Sequence, residues 1–135
     1  MAQPIEEIEG IGPAFGEKLK AMGVKTTDDL LKFCGEAKGR QASAQKTGIA
    51  EASLLKWANR ADLMRVKGVG KQYSELLEMS GVDTVKELKT RRADNLTKKM
   101  LEVNTAKKLC KTNPSENEVT DWIAQAAKLP PAISH

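Results

Sequence analysis

Apolar residues recur three and four positions apart along most of this chain, and short breaks at Gly or Pro cut the pattern into segments of helical length. No window alternates apolar and polar residues for long enough to suggest a strand. After Pro4, residues 5–8 predict one or two helical turns. Gly10-Ile11-Gly12 predicts a tight turn, because absent side chains permit positive φ and close approach. Pro13 stands at the first position of the next helix, where its missing N–H costs nothing. That helix places Phe15, Leu19 and Met22 on one face and stops at Gly23. Thr27 is the expected N-cap of a helix with Asp28 and Asp29 in its first turn and Leu30, Leu31 and Phe33 inward. Gly35 and Gly39 read as breaks. A helix over residues 40–47 then ends at Gly48, and another over 51–59 offers Leu54, Leu55, Trp57 and Ala58 to a core.

The pattern then starts again. Residues 61–65 lead into Gly68-Val69-Gly70, and a helix ending at Gly81 puts Tyr73, Leu76, Leu77 and Met79 inward. Thr84 is the expected cap for residues 85–89, with Leu88 matching Leu30. Asp94 or Asn95 starts a helix containing Leu96, Met100 and Val103, and a short helix over 106–110 follows. Asn113-Pro114-Ser115 is a break, and Ser115 with Glu118 has the form of a capping box. The last helix carries Val119, Trp122, Ile123 and Ala126, and Pro130-Pro131 ends regular structure.

This second start is a duplication. Ile8-Glu9-Gly10-Ile11-Gly12 and Val66-Lys67-Gly68-Val69-Gly70 lie 58 positions apart. At the same spacing stand Gly23-Val24-Lys25-Thr26 and Gly81-Val82-Asp83-Thr84. Residues 49–57 align with 114–122 at an offset of 65, so the second copy has a middle seven residues longer. Trp57 and Trp122 then take equivalent packing positions. One copy alone would expose an apolar side, which stacking two around a shared core removes. The expected organisation is a first unit over residues 1–61, a second over 62–129 and a flexible tail over 130–135.

With only two Trp, two Phe and one Tyr in 135 residues, the core comes from Leu, Ile, Val, Ala and Met. The formal charge is +4, and its distribution matters more than its size. Between Lys86 and Lys111 nine basic residues face three acidic ones, whereas the first seventeen residues hold four Glu and no base. Such asymmetry orients a polyanion on one side, or it is a solvated surface. Cys34 and Cys110 have no CxxC spacing and the single His is the last residue, so no zinc set is expected and the thiols read as free in a reducing compartment. Without a signal segment or an apolar run near ~18 residues, a soluble cytoplasmic protein with no membrane contact is expected. There is no internal His, no Cys–His pair and no Gly-rich loop ending in Lys-Ser/Thr, and Glu6-Glu7 and Asp28-Asp29 are explained by helix starts. Neither catalysis, a cofactor, a metal nor a small-molecule substrate is expected.

A Gly-x-Gly turn opening a helix can converge backbone N–H groups on one phosphate oxygen, aided by the helix terminus. The second turn has the flanking chemistry for this in Lys67, Lys71 and Gln72, around Gly68, Val69 and Gly70. The first turn, Gly10, Ile11, Gly12 and Pro13, is preceded by Glu9 and followed by Glu17, so it is expected to bind weakly or only to brace the fold. For both turns the purely structural alternative is that glycines let helices approach while Ile11 and Val69 plug the core.

These residues resemble the helix-hairpin-helix motif, whose hydrophobic-x-Gly-hydrophobic-Gly core both copies fit, with Gly16 and Ser74 where the motif often has Ala. The resemblance implies sequence-independent contact with the DNA backbone through N–H groups near Gly68 to Lys71. Nearly the whole chain, most specifically Trp57-Ala58-Asn59-Arg60-Ala61-Asp62-Leu63-Met64, resembles the small bacterial family labelled domain of unknown function 4332, frequent in cyanobacteria and described as tandem helix-hairpin-helix. The implied fold is all-α: two tandem helix-hairpin-helix units packed as one compact domain, a helical bundle similar to SAM domains. The family carries no activity to transfer. The leading expectation is non-catalytic, sequence-non-specific DNA binding through the second hairpin, extended by Arg91, Arg92, Lys98 and Lys99. The alternative is a small scaffold or adaptor for a protein partner, in which both hairpins are structural.

Overall fold

The computed structural model of the protein describes residues 2–134; Met1 and His135, the latter the end of the expected tail, lie outside the described residues. A 3₁₀ turn at Ile5–Glu7 precedes α1 (Pro13–Ala21), α2 (Thr27–Cys34), α3 (Ala37–Thr47), α4 (Glu51–Leu63), α5 (Lys71–Met79), α6 (Val85–Leu88), α7 (Ala93–Lys107) and α8 (Glu116–Lys128). The bundle is all-helical. Among the described residues there is no strand, only an isolated antiparallel bridge between Pro4 and Thr26.

Several helix ends differ from expectation, each for a local reason. The cap of α2 is Thr26, not Thr27: the Thr26 hydroxyl accepts from Asp29 N–H, and the Asp29 carboxylate accepts from Thr26 N–H. That reciprocal pair satisfies two orphan donors, which Thr27 with Leu30 three residues on cannot do. Thr27 instead is buried, and its N–H donates to Gln3 O at 2.8 Å. Gly39 lies inside α3 rather than breaking it. A Cβ at Gly39 would collide with Phe33 O, and one at Gly35 with Leu31 O and Ala132 O, so both glycines serve close backbone approach. The buried Arg40 guanidinium fits there, with Nη1 donating to Cys34 O at 3.0 Å and Gly35 O at 2.9 Å. The start of α7 is at Ala93, just ahead of the expected Asp94 or Asn95. The expected helix over 106–110 is absent: α7 ends where Lys108 turns to φ 53°, and Asn104 holds the loop by bonding Cys110 N–H and O.

α4 runs through Leu63 rather than stopping at Asn59, and every residue from Trp57 to Met64 is buried. It packs on α2 and α3 on one side and on α5 on the other. Ile5, Ile8, Leu19, Leu30, Leu54 and Trp57 belong to one hydrophobic cluster, which Met64 joins. Val66, Leu76, Leu77, Leu88, Met100 and Trp122 belong to another, which Leu63 joins. The end of α4 therefore contributes to both. Phe15 and Met79, expected inward, are 40% and 41% exposed. Residues 130–134, expected to be a flexible tail, run back over the first half: Ser134 N–H donates to Gly35 O, Arg40 Nη2 donates to Ser134 O, and Ile133 packs on the first cluster.

Candidate nucleic-acid interface

The two Gly-x-Gly turns share one local geometry. Gly10 and Gly68 have φ of 100° and 99°, in the left-handed region. A Cβ on Gly10 would sit 3.0 Å from Trp57 Nε1, and one on Gly68 the same distance from Trp122 Nε1. Phe15 packs on Trp57 and Tyr73 on Trp122, with ring centroids 5.2 Å apart in each pair. Ile11 and Val69 are buried, and their N–H groups turn back to Ile8 O and Val66 O. Gly12 and Gly70 differ from their partners. Both have ordinary extended backbone, and a Cβ on either would meet nothing within 4 Å.

Each turn is braced by a side chain from the helix that carries its Trp. Arg60 Nη1 donates to Glu9 O at 2.5 Å, while its Nε and Nη2 donate to the Glu78 carboxylate at 3.1 and 3.3 Å. Arg60 thereby ties the first turn to α5. At the equivalent position of α8, Gln125 brackets Lys67: its Oε1 accepts from Lys67 N–H at 2.8 Å and its Nε2 donates to Lys67 O at 3.1 Å. The Lys67 N–H is thus occupied. The N–H groups of Gly68, Gly70, Lys71 and Gln72 have no intramolecular acceptor among the described residues. They stand at the N-terminus of α5, whose N-cap Gly70 has no side chain to cap it. In the first turn Pro13 removes one such donor.

The predicted charges divide into two places. Lys67, Lys71 and Gln72 are exposed beside the second turn. Lys71 Nζ lies 3.5 Å from Glu9 Oε2, so the two turns are neighbours and the acidic residue of the first partly counters the cation of the second. A cleft of about 360 Å³ there is lined by Glu9, Lys71, Gln72, Glu75, Lys108 and Leu109. Lys108 reaches it because α7 ends at the Lys71 end of α5. Arg91, Arg92 and Lys99 line a different cleft with Ser80, the residue after the last turn of α5. The nine residues of α5 separate the two ends by about 13 Å. Lys98 is exposed on α7 and lines neither cleft. Arg91 donates to Glu87 at 2.5 Å and to Gly81 O at 3.0 Å, and Arg92 to Asp94 at 3.0 Å. The Asn95 N–H and then Arg92 hold the Asp94 carboxyl below the usual carboxylate range.

The sequence pattern does not single out Lys108, Arg60 or Gln125 as site residues. The basic stretch contains Lys108, but nothing local says which turn a helix end will meet. Elsewhere, burial pushes the Cys34 and Cys110 thiols up, which keeps them protonated and poorly nucleophilic. No group of three or more His, Cys, Asp or Glu among the described residues is arranged to hold a metal ion. No described helix is long and apolar enough to cross a membrane.

A family model described as "Domain of unknown function (DUF4332)" matches residues 9–129, and the chain belongs to that family. Comparison with curated proteins and with solved structures gives no match.

Proposed function

We propose that this member of the family is a non-catalytic protein of two tandem helix-hairpin-helix units whose second hairpin binds DNA by its phosphate backbone without reading sequence. The observation that carries the reading is the set of unengaged N–H groups of Gly68, Gly70, Lys71 and Gln72, in the turn and at the N-terminus of α5 that it opens. A phosphodiester oxygen seated there receives neutral donors and the partial positive charge of the helix end. Lys67 and Lys71 on its rim, with Lys108 across the cleft, add Coulombic attraction. Gly70 favours the same reading: its conformation and surroundings would accept a side chain, and leaving it bare opens the backbone to a ligand. The first hairpin braces the fold, and Glu9 competes with phosphate for Lys71. Arg91, Arg92 and Lys99 at the other end of α5, with Lys98 exposed on α7, extend this contact only along a duplex that spans both ends of α5.

A second reading, a scaffold for a protein partner, is favoured by the pairing of Lys71, Arg91 and Arg92 with Glu9, Glu87 and Asp94. Fluorescence anisotropy of labelled duplex, single-stranded and branched DNA at several salt concentrations separates the two. DNA binding predicts affinity that falls linearly with salt on logarithmic axes. Lys67→Ala/Lys71→Ala reduces that slope by about two, and Glu9→Gln strengthens binding. An absence of binding at low salt refutes the DNA reading and leaves the scaffold.

A further inference from the structure

We propose that the loop after α7, residues 108–113, is a second phosphate-contacting element that carries the DNA contact of the second hairpin across to the far side of its cleft. The inference rests on the hairpin reading and begins from a difference between the two units. In the first, residues 48–50 join α3 to α4, whereas in the second the longer stretch 108–115 joins α7 to α8. The short connection carries no charge, and the long one brings Lys108 and Lys111 with no acidic residue.

The two helix ends differ in a matching way. α3 and α7 both stop at a residue in the left-handed region, Gly48 at φ 75° and Lys108 at φ 53°. Glycine takes that conformation freely, and an L side chain pays a steric cost. Lys108 is the one non-glycine residue at positive φ among the described residues. Strain of this kind persists where the side chain has a use. Here Lys108 lines the cleft of about 360 Å³ together with Lys71 and Gln72.

The loop is fixed in place from two directions. The Asn104 side chain, buried under it, accepts from Cys110 N–H at 2.8 Å and donates to Cys110 O at 3.0 Å and to Asn113 Oδ1 at 2.8 Å. The Tyr73 hydroxyl donates to Thr112 O at 3.4 Å, which fastens the loop to the first turn of α5. Cations on a fixed backbone lose less conformational freedom when they meet a ligand. Lys108 and Lys111 are exposed, and neither forms an ion pair among the described residues, whereas Lys71, Arg91 and Arg92 do. Glu9 and Glu75 line the same cleft, so phosphates are bound at its two sides, the turn and the loop, rather than inside it. A phosphodiester backbone fits this arrangement, because it offers successive anionic groups to both elements.

Fluorescence anisotropy of the full chain with labelled duplex DNA over a salt series tests the loop separately from the hairpin. Lys108→Gly and Lys111→Ala should each lower the slope of log affinity against log salt by about one. Lys46→Ala, near the end of α3 in the first unit, should leave the slope unchanged. Lys108→Gly also relieves the strained backbone, so its melting temperature should rise while its DNA affinity falls. A residue that served the fold alone would not separate the two readouts in that direction.

Undiminished slopes in both loop variants, with Lys67→Ala/Lys71→Ala still losing about two, overturn this inference and spare the hairpin. No DNA binding by the parent protein at low salt overturns both. Binding that needs Lys108 and Lys111 but not Lys67 and Lys71 keeps the loop and overturns the hairpin. A Lys108→Gly protein that melts below the parent removes the strain argument and overturns the assignment of Lys108.

Discussion

Gly68→Ala and Gly70→Ala, two residues apart in one turn, should behave oppositely. At Gly68 the backbone φ of 99° puts an L side chain in the left-handed region, which costs about 1–2 kcal/mol. The new Cβ would also stand 3.0 Å from Trp122 Nε1, and that indole, 2% exposed and packed on Tyr73, has little room to retreat. Overpacking adds about 1 kcal/mol, for a total of about 2–3 kcal/mol. With an unfolding entropy of about 2.1 cal/mol/K per residue over a chain of this size, the melting temperature falls by about 7–10 °C. Gly70, at φ −107° with nothing within 4 Å of the place a methyl group would take, should tolerate Ala to within about 0.5 kcal/mol. On the proposed reading a side chain here narrows the approach of a phosphate to the backbone, so DNA affinity should fall while stability holds. Thermal melts followed by far-UV circular dichroism, beside anisotropy titrations, read both effects. A Gly70→Ala protein that melts as low as Gly68→Ala refutes the outward-facing account of Gly70. A Gly68→Ala protein that melts like the parent refutes the positive-φ and indole argument.

Other consequences concern the fold itself. Gly16→Ala should raise stability by about 0.5–1 kcal/mol, because a Cβ at this buried helical position meets its nearest neighbour, Glu6 Oε2, at an ordinary 3.6 Å; denaturant titration checks it. Arg60→Ala should cost about 2–4 kcal/mol, since it strips Glu78 and Glu9 O of a 3% exposed guanidinium, and Arg60→Lys should restore only part because an ammonium cannot repeat the fork. The Lys25 and Thr26 N–H groups hold the Asp29 carboxyl below its ordinary value of 3.8. A group lowered on folding contributes stability that is full above the unfolded value and is lost as pH falls through the folded one. Asp29→Asn should therefore flatten the acid limb of the stability profile below about pH 4, and a limb unchanged by the substitution counts against the cap.

What could be read directly was short in range. The glycine turns, Pro13 at a helix start, the Thr84 and Ser115 caps and the spacing of Trp57 and Trp122 each depend on atoms a few residues apart or on a repeated offset. The misplaced details involve contact with distant chain. Gly39 resembles a breaker until Phe33 O is seen against it, and α4 reads as ending at Asn59 until the two clusters on either side bury the residues beyond. Phe15 and Met79 follow the helical period inward, yet the neighbouring elements cover only part of each.

By itself, then, the sequence determined an all-helical chain, the position of both turns and a second turn richer in cations than the first. Those properties follow from backbone conformation, capping and composition, which act locally. Only the tertiary structure decided that Lys71 faces Glu9, that Lys108 joins it, and that Arg91, Arg92 and Lys99 gather around Ser80 at the opposite end of α5. Solvent-exposed cations impose little on the folding of their own segment, so their partners are set by how remote helices pack.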